Sequence, residues 1–382
     1  MSIQQLQASK QGGSFSQVTA PVPKPDSHEV TIRPRAVSLN PIDWKNLHFG
    51  AMVNAWPAVL GIEGAGVVES VGSNVTSFKP GDEVMSWVSR NQFNGAFQDV
   101  YTTQEAWVAK KPASLSFEEA TSLPIGYLTG GAAVAVGLKV ALPGLSKLDS
   151  TAAQLKSILV LGASSAVGAA AVQLLRIALP SATIITTSSA AHHAHLKSLG
   201  ATTCLERAAQ EDASALKAAS PGGSGVDAVL DAVGACGDSP AVYDALKSDG
   251  PKLYSLVLTR VGIEFPPGIQ ATMVGGHDLI AKYSGAMQYL TKLLDEGKYK
   301  LPVKVEVVGK GLEAIEGNLD KVMKFLNQLS SKSESIGTDI VRMKPVASKR
   351  VAQELVECGN ITISEIGVGY YGQLKVEGSH QV

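Results

Sequence analysis

The alternation of short apolar segments with helical patterns between residues 157 and 276 most constrains the fold of this chain. Helix-forming sequence separates the apolar segments, most clearly in AVGAAAVQLLRIAL (166–179). Short buried strands that alternate with helices are typical of a parallel sheet covered by helices on both faces. We therefore predict a doubly wound α/β domain that ends in one helix over 278–298. The predicted strands are SILVLG (157–162), ATIITTSS (182–189), ATTCLE (201–206), GVDAVLDAVG (225–234), PKLYSLV (251–257) and ATMVGG (271–276).

VLGASSAVGAAAVQ (160–173) predicts a phosphate-binding turn at the first crossover of this sheet. Glycine allows close approach of the backbone, and the positive end of the following helix dipole would face a pyrophosphate. The two glycines lie six residues apart, so a strict Gly-x-Gly-x-x-Gly is absent. A tight turn with small residues for helix–sheet packing is the alternative. The predicted cofactor contacts in the turn are Gly162, Ser164, Ser165, Ala166, Val167 and Gly168.

The end of the second predicted strand favours NADPH over NADH. Sites that prefer NAD place an acidic residue about 20 residues after the glycine turn, where it holds the ribose 2′-hydroxyl. No acidic residue occurs between Asp149 and Glu206. Hydroxyl and imidazole groups follow the strand instead, and we predict that Ser188, Ser189 and His192 contact a 2′-phosphate. A solvated helix start is the alternative for the histidines.

Composition argues against several other classes of protein. The 33 basic and 34 acidic residues give a net charge of −1, so neither nucleic acid nor an anionic membrane is an expected partner. Cys204, Cys236 and Cys358 lie far apart, which argues against a disulfide framework and against a cysteine-rich zinc lobe. No signal-peptide core and no window near the ~20 apolar residues of a membrane span occurs. We expect a cytoplasmic protein.

The residues before the α/β pattern predict a second, β-rich domain. HEVTIRPRAVSL (28–39) and GAGVVESVG (64–72) carry β-branched residues between turn formers. LPVKVEVVGKGLEAIEGNLDKVMKFL (301–326) returns to strand and helix, which makes the α/β unit an insertion. The predicted boundaries are 1–121 for the first part of the substrate domain, 122–298 for the dinucleotide-binding domain, 299–343 for the return, and 344–382 for a C-terminal extension of unknown role.

Six motifs in register resemble the medium-chain dehydrogenase/reductase superfamily. Within it, the chain is most similar to the zinc-free quinone-reductase and enoyl-reductase branch, especially to fungal trans-acting enoyl reductases and zinc-binding dehydrogenase-like proteins. The resemblance implies a GroES-like, barrel-type substrate domain interrupted by a Rossmann domain, with the active site between them. The motifs are LNPIDWK (39–45), LGIEGAGVV (60–68), FKPGDEV (78–84), LPIGYLTGGAAV (123–134), VLGASSAVGAAAVQL (160–174) and VDAVLDAVG (226–234).

The same resemblance implies that this chain binds no zinc. Zinc-dependent members hold the catalytic metal with a Cys where this chain has Asn40 and a His where it has Ile62. Isoleucine has no lone pair to donate, and a zinc site needs three protein ligands. No cysteine lies between residues 82 and 130, so the structural zinc lobe is missing as well. Without a Lewis acid, hydride delivery to an activated C=C bond is favoured over alcohol oxidation.

The resemblance also implies which residues line the cleft between the two domains. Thr129 is expected to contact the nicotinamide ribose or amide, and Val233 and Gly234 are expected to flank the nicotinamide. Lys45 and Tyr127 are the candidates for stabilising an enolate or donating a proton. Two further polar residues, Asn40 and Asp43, complete the predicted cofactor side, and Glu63 is predicted to be structural.

Three positions differ from the family pattern. Ser165 and Ala166 stand where the family has Gly-Gly, and Ala191 stands where related fungal proteins often carry a lysine. The resemblance also implies a strand near the C-terminus that closes the fold, and we predict that GTDIVRM (337–343) forms it.

We predict an NADPH-dependent reductase of an enoyl thioester or a small enone. The likeness to fungal proteins suggests a polyketide or other secondary-metabolite pathway, with the substrate on an acyl carrier protein. An NADPH-dependent quinone oxidoreductase and a non-catalytic NADPH-binding protein are the alternatives. The residues do not decide between a monomer and a homodimer.

Overall fold

The computed structural model describes residues 2–88, 92–145, 153–259 and 262–331. In the N-terminal part the strands are β1 (Ser2–Ala8), β2 (Phe15–Pro21), β3 (Glu29–Val37), β4 (Ala58–Val59), β5 (Glu63–Val71), β6 (Glu83–Trp87), β7 (Tyr101–Gln104) and β8 (Val108–Lys110). The later strands are β9 (Ser157–Leu161), β10 (Thr183–Ser188), β11 (Thr203–Glu206), β12 (Ala228–Asp231), β13 (Leu253–Val257) and β14 (Gln270–Val274). The helices are α1 (Pro41–Phe49), α2 (Phe117–Thr121), α3 (Pro124–Ala132), α4 (Ala166–Ala178), α5 (His193–Ser198), α6 (Ala213–Ala218), α7 (Gly276–Lys282), α8 (Ala286–Asp295) and α9 (Glu313–Ser331).

The N-terminal strands form two antiparallel sheets, as the β-branched segments between turns predict. The larger sheet has the order β7-β3-β5-β6-β8, and the smaller has the order β2-β1-β4. Val30, Ile32 and Val68 are buried together on one face of the larger sheet. Irregular register between β3 and β5 occurs at Thr31/Ile32 and at Pro34/Ala36, and such bulges increase the local twist of a sheet.

The six later strands form one parallel sheet, which confirms the doubly wound α/β prediction. Its order is β11-β10-β9-β12-β13-β14, the order of a Rossmann dinucleotide-binding fold. Alternate residues of β9 enter different cores, Ile158 and Val160 on one face and Leu159 and Leu161 on the other. Chain connections leave β9 and β12 in opposite directions, so ligands of this fold bind beside the carboxyl ends of these two strands.

Helix α3 packs closely against α4, the helix that follows the first strand of the parallel sheet. A Cβ atom at Gly130 would lie 2.8 Å from the Val167 carbonyl oxygen of α4, so only glycine fits this contact. A short π-helical turn, Ala133–Gly137, continues α3. The whole of α3 from Gly126 to Ala132 is buried. Because α3 has no exposed face to slide over, its position relative to α4 is fixed by packing.

The prediction of a single helix over 278–298 is wrong, because two separate helices form there. Helix α7 ends at Lys282, and Tyr283 leaves the helical region with φ −138° and ψ 98°. Helix α8 then begins after Gly285 and runs to Asp295. The bend brings α8 against β8, where the Thr291 hydroxyl donates to the Lys110 carbonyl over 2.7 Å. Helical periodicity alone does not reveal such a bend.

The strand predicted within 301–326 does not form in the described part of the chain. Val307 and Val308 are exposed instead of paired, and a helix, α9, begins at Glu313. Ile315 and Leu319 of α9 pack with apolar residues of the N-terminal sheets and α1. Residues 1–326 form one compact unit, and the predicted domain boundaries remain predictions. The predicted closing strand 337–343 and the extension 344–382 lie outside the described residues.

Candidate functional site

The turn between β9 and α4 has the geometry that suits a phosphate group. Gly162 has φ +67°, in the left-handed region that favours glycine. A Cβ atom at Gly168 would lie 2.4 Å from the Gly162 carbonyl oxygen, so the turn can close this tightly only with glycine there. The turn leads directly into the N-terminus of α4, a position where backbone N–H groups and the helix dipole favour anions. Ser164, Ala166 and Val167 are half-buried around this N-terminus.

The Ser165 side chain stabilises the phosphate-binding turn itself. Its hydroxyl accepts from the Gly168 N–H over 3.0 Å and donates to the Gly162 carbonyl over 2.8 Å. It therefore caps α4 and closes the turn, while the family has glycine at this position. The hydroxyl shapes the turn rather than extending from it.

The phosphate turn and the loop after β12 meet at the carboxyl end of the parallel sheet. A Cβ atom at Gly162 would lie 2.4 Å from a methyl carbon of Val233, so the two loops are in direct contact. Val233 is 41% exposed, and Gly234 has φ +71°. The structure thus brings together Gly162, Val233 and Gly234, three of the predicted cofactor residues, where a dinucleotide-binding fold places its ligand.

Asp231 holds this second loop in place, and the sequence prediction missed it. The fully buried carboxylate accepts from the backbone N–H groups of Val233, Ala235 and Cys236 over 3.0–3.1 Å. Its second oxygen also accepts from the Tyr254 hydroxyl over 2.9 Å. Burial, with the nearby Asp231 carboxylate, raises the pKa of Tyr254, so this hydroxyl remains a donor. The signal was an acidic residue at the end of an otherwise apolar strand.

The predicted 2′-phosphate residues lie at the carboxyl end of β10, the neighbour of β9. Ser189 and His192 flank a short 3₁₀ turn and are half-buried. The Ser188 side chain is buried and donates to the Ser189 carbonyl over 3.2 Å. Ser189 and His192 therefore stay candidates for a ligand contact through their side chains, whereas the Ser188 hydroxyl is directed to backbone.

Asn40 and Asp43 organise the start of α1. The Asn40 side-chain amide donates to Glu63 over 2.8 Å, and the Asn40 backbone N–H donates to Asp43 over 2.9 Å. Asp43 is fully buried, and burial raises its pKa to about 7. Burial, with a smaller contribution from the charge of Asp43, raises the pKa of Glu63 to about 8. The buried Asp43 side chain caps α1, and its predicted contact with a cofactor remains a prediction.

The positions that hold zinc in zinc-dependent relatives carry other contacts here. The Asn40 amide is bonded to Glu63, and Ile62 is buried in the apolar core with Tyr127 and Met85. Neither side chain offers the imidazole or thiolate that a zinc site uses. Among the described residues, no group of three or more His, Cys, Asp and Glu side chains could hold a metal ion.

Lys45 connects α1 to the parallel sheet. Its ammonium group donates to the carbonyl oxygen of Thr259, just beyond β13, over 3.0 Å. The side chain is half-buried and reaches the carboxyl edge of the sheet, the edge that carries Gly162 and Val233. Thr129 is 6% exposed on α3, where its hydroxyl oxygen would lie 3.0 Å from a Cβ atom at Gly276.

Tyr127 does not reach this edge. Its ring is fully buried and stands edge-on to Tyr299, with centroids 5.8 Å apart. The hydroxyl donates to the Ala286 carbonyl of α8 over 2.9 Å, and burial together with Tyr299 and Tyr289 raises the pKa well above its usual range. A hydroxyl in this position joins α3 to α8 and is not placed to donate a proton to a substrate.

Comparisons with known proteins agree with this architecture. Residues 26–113 match the model of the alcohol dehydrogenase GroES-like domain. The chain is 38% identical over 198 residues to trans-enoyl reductase tndF of Aspergillus flavipes. The matched segment covers 50% of this chain and 55% of that protein. It is 28% identical over 305 residues to trans-enoyl reductase himH of Aspergillus japonicus, covering 76% and 85% respectively.

Other similar proteins carry a quinone oxidoreductase name or share only the fold. A chloroplast envelope quinone oxidoreductase homolog of Arabidopsis thaliana is 36% identical over 231 residues, 59% of this chain and 66% of that protein. The structure of CurK enoyl reductase superposes with a TM-score of 0.67 at 24% identity over 84% of this chain and 96% of that one. These likenesses support the medium-chain dehydrogenase/reductase superfamily, and its enoyl reductase-like branch, as the family that this chain resembles. No helix in the described ranges is long and apolar enough to cross a membrane.

Proposed function

We propose that this protein is a zinc-independent, NADPH-dependent reductase that delivers hydride to the β-carbon of an activated C=C bond. The observation that carries the proposal is the pair formed by Asn40 and Glu63 beside the buried Ile62. By the resemblance, Asn40 and Ile62 stand where zinc-dependent members of the superfamily hold their metal. A carbonyl conjugated to the double bond already polarises it, so the reduction needs alignment and enolate stabilisation more than a Lewis acid.

The residues at the carboxyl edge of the sheet fit a dinucleotide. The turn closed by Gly162 and Gly168 would hold the pyrophosphate, and Val233 with Gly234 would flank the nicotinamide. Ser189 and His192 would face the 2′-phosphate at the end of β10. Bound NADPH would supply the hydride, and the protein's part is to orient it and to exclude water. The absence of an acidic residue between Asp149 and Glu206 supports NADPH over NADH.

Lys45 is the residue best placed to stabilise the enolate that hydride addition creates. Its ammonium group lies at the edge of the parallel sheet, bonded to the Thr259 carbonyl. A positive charge near the developing oxyanion lowers the energy of the transition state. The hydroxyl of Thr129, on the buried α3, would orient the cofactor rather than take part in proton transfer. We assign no proton donor, because Tyr127 is directed to Ala286.

The substrate class proposed is a small enone or an enoyl thioester, the latter carried on an acyl carrier protein. Two relatives named trans-enoyl reductases support the thioester. An NADPH-dependent quinone oxidoreductase is the second candidate, supported by the plant relative with that name. Quinones also accept hydride without a metal, so the same site geometry serves both reactions.

A direct assay separates these functions. The purified protein is given NADPH and, in turn, a crotonyl thioester, a simple enone and a benzoquinone, and NADPH consumption is followed by absorbance. We expect turnover of the thioester or enone, at least tenfold slower turnover with NADH, and no dependence on added zinc. Turnover of benzoquinone alone would establish the second candidate. Tight NADPH binding without any turnover would show a non-catalytic nucleotide-binding protein, and stoichiometric zinc would contradict the proposal.

A further inference from the structure

Glu63 links two elements that are far apart in the sequence. It is the first residue of β5 and is 1% exposed. One carboxylate oxygen accepts from the Asn40 side chain at the start of α1, over 2.8 Å. The other accepts from the backbone N–H of Ile125, in the first turn of α3, over 2.9 Å. One side chain therefore connects the GroES-like part of the chain to the helix that packs on the phosphate-binding turn.

The start of α3 depends on this connection. Pro124 occupies the first position of the helix, and Leu123 before it offers no side-chain cap. The first N–H groups of a helix have no partner within the helix, and the dipole there favours a negative charge. The Glu63 carboxylate supplies both an acceptor and a charge, in place of the local cap that the sequence lacks.

The position of α3 reaches the cofactor site by contact. Gly130 brings α3 against Val167, the second residue of α4, and a Cβ atom at Gly126 would lie 3.2 Å from the Ala166 side chain. Thr129 lies one helical turn after Ile125. A shift or loosening at the first turn of α3 would therefore move Thr129 and the start of α4 together, because the interface leaves no free space.

We propose that Glu63 is a positioning residue, which holds the first turn of α3 against the substrate-binding half of the chain and so sets where Thr129 and the start of α4 meet a bound cofactor. This inference rests on the proposed function. It assigns to Glu63 no contact with substrate or cofactor; the residue acts through Ile125 and α3.

The surroundings of Glu63 make this link sensitive to pH. In the described part of the chain, the ionisable groups that face it are Asp43 of α1 and Tyr101 of β7. Burial raises the pKa of Glu63 to about 8 and that of Asp43 to about 7, and it also raises the pKa of Tyr101. An ionised Glu63 accepts from both partners and faces the positive end of α3, whereas a protonated one must use one oxygen as a donor. The raised pKa shows that burial outweighs these hydrogen bonds, so opening of the first turn of α3 to water becomes easier as pH rises through about 8.

Glu63→Gln is the first test, because glutamine keeps the size of the side chain and imitates the protonated acid at every pH. Glu69→Gln is the matched control, since Glu69 lies on the same strand and pairs with Arg33 at the surface. Amide hydrogen exchange of residues 125–132 is measured without ligand from pH 6.5 to 9.5, corrected for intrinsic rates. We expect protection of the wild-type first turn to fall about tenfold across this range, and to stay constant in Glu63→Gln.

The second readout is the pH profile of NADPH-dependent reduction. The wild type and Glu69→Gln are expected to show an inflection in kcat near the pKa of Glu63, which Glu63→Gln lacks. Between pH 6.5 and pH 9 the wild-type kcat should fall about tenfold relative to that of Glu63→Gln, while the KM of the substrate changes less than threefold. A merely structural role would lower melting temperature and active fraction without moving the profile. Glu63→Asp, which keeps the charge but shortens the reach to the Ile125 N–H, should lower the protection of α3 at every pH.

The outcomes separate the two proposals. Unchanged exchange and an unchanged pH profile in Glu63→Gln would overturn the positioning role. If the wild type reduces no substrate, the proposed function fails, and the exchange measurement still decides the link. Loss of pH-dependent protection in Glu63→Gln but not in Glu69→Gln would then support it, and equal protection in both would overturn it.

Discussion

Asp231 and Glu63 are both buried carboxyl groups at strand ends, but their partners differ. Asp231, at the end of β12, accepts from three backbone N–H groups and from Tyr254. Glu63, at the start of β5, has one side-chain and one backbone donor, and Asp43 lies nearby. A loop that folds back over a strand end supplies many donors. A junction between two halves of a chain supplies few hydrogen-bond donors, and burial then determines the direction in which the pKa of the acid shifts.

Removal of Asp231 tests the well-bonded side of this comparison and has the largest expected effect of a single substitution. Asp231→Ala leaves the buried N–H groups of Ala235 and Cys236, the partly buried N–H of Val233 and the Tyr254 hydroxyl without their acceptor. We expect the free energy of unfolding to fall by about 4 kcal/mol, because each buried donor without a partner is costly. Denaturant unfolding measures this, with Asp249→Ala at an exposed position as the control. A loss below about 1 kcal/mol would mean that the loop does not depend on Asp231.

Stability as a function of pH tests Glu63 and its neighbour Asp43, the buried acids with few hydrogen-bond donors. Asp43 and Glu63 have pKa values of about 7 and about 8 in the folded chain, above those of an unfolded chain. The folded state therefore binds these protons more tightly, and stability is greatest at low pH and falls as pH rises through about 8. Between pH 5.5 and 8.5 we expect a loss on the order of 5 kcal/mol in the wild type from this source. Unfolding at pH 5.5 and 8.5 should show a smaller loss in Asp43→Asn combined with Glu63→Gln.

Substitution in the phosphate turn tests whether the loops beside the parallel sheet are tightly packed, as the hydrogen bonds of Asp231 indicate for the loop after β12. Gly168→Ala places a methyl group against the Gly162 carbonyl oxygen, so the turn must open. We expect NADPH affinity to fall about tenfold, measured by fluorescence titration. Gly317→Ala in α9, where a Cβ atom meets nothing within 4 Å, is the matched control and should leave the affinity unchanged. Equal affinities in both variants would argue against a cofactor role for the turn.

The smallest effect is expected at the exposed end of the same half. Ala191→Lys adds a cation beside Ser189 and His192, on a surface position with room for it. The ratio of NADPH to NADH affinity should rise about threefold, a modest gain because solvent screens the charge. Ala191→Gln, of similar length without charge, should leave the ratio unchanged. A rise in NADH affinity to the same extent would place the 2′-phosphate elsewhere.

The parallel sheet could be predicted from the sequence because its signals are local. Each strand is a short apolar run, and Gly162 and Gly168 punctuate the first crossover. The bend between α7 and α8 could not, since it depends on contacts of α8 with β8, far away in the sequence. The strand predicted around Val307 and Val308 is the opposite case. The local pattern predicts a strand, but in the described part of the chain no neighbouring strand pairs with these residues.

The candidate site could be predicted less well than the fold. The motifs located Gly162, Val233 and Lys45 near one edge, because strand ends in a parallel sheet share an edge. They did not show that Tyr127 turns to Ala286 or that Asp43 caps α1, because the direction of a side chain depends on tertiary packing. Asp231 was missed because its partners are mainly backbone N–H groups. Every residue type except proline carries such a group, so no sequence motif marks them.

The direct bond between Asn40 and Glu63 also bears on how the protein matures. Where a relative needs a metal ion delivered before its site is complete, this chain closes the same place with its own atoms during folding. Growth under metal limitation, or purification in a strong chelator, should therefore yield protein with full specific activity. A reductase of the proposed kind would then be made without drawing on the cell's zinc supply.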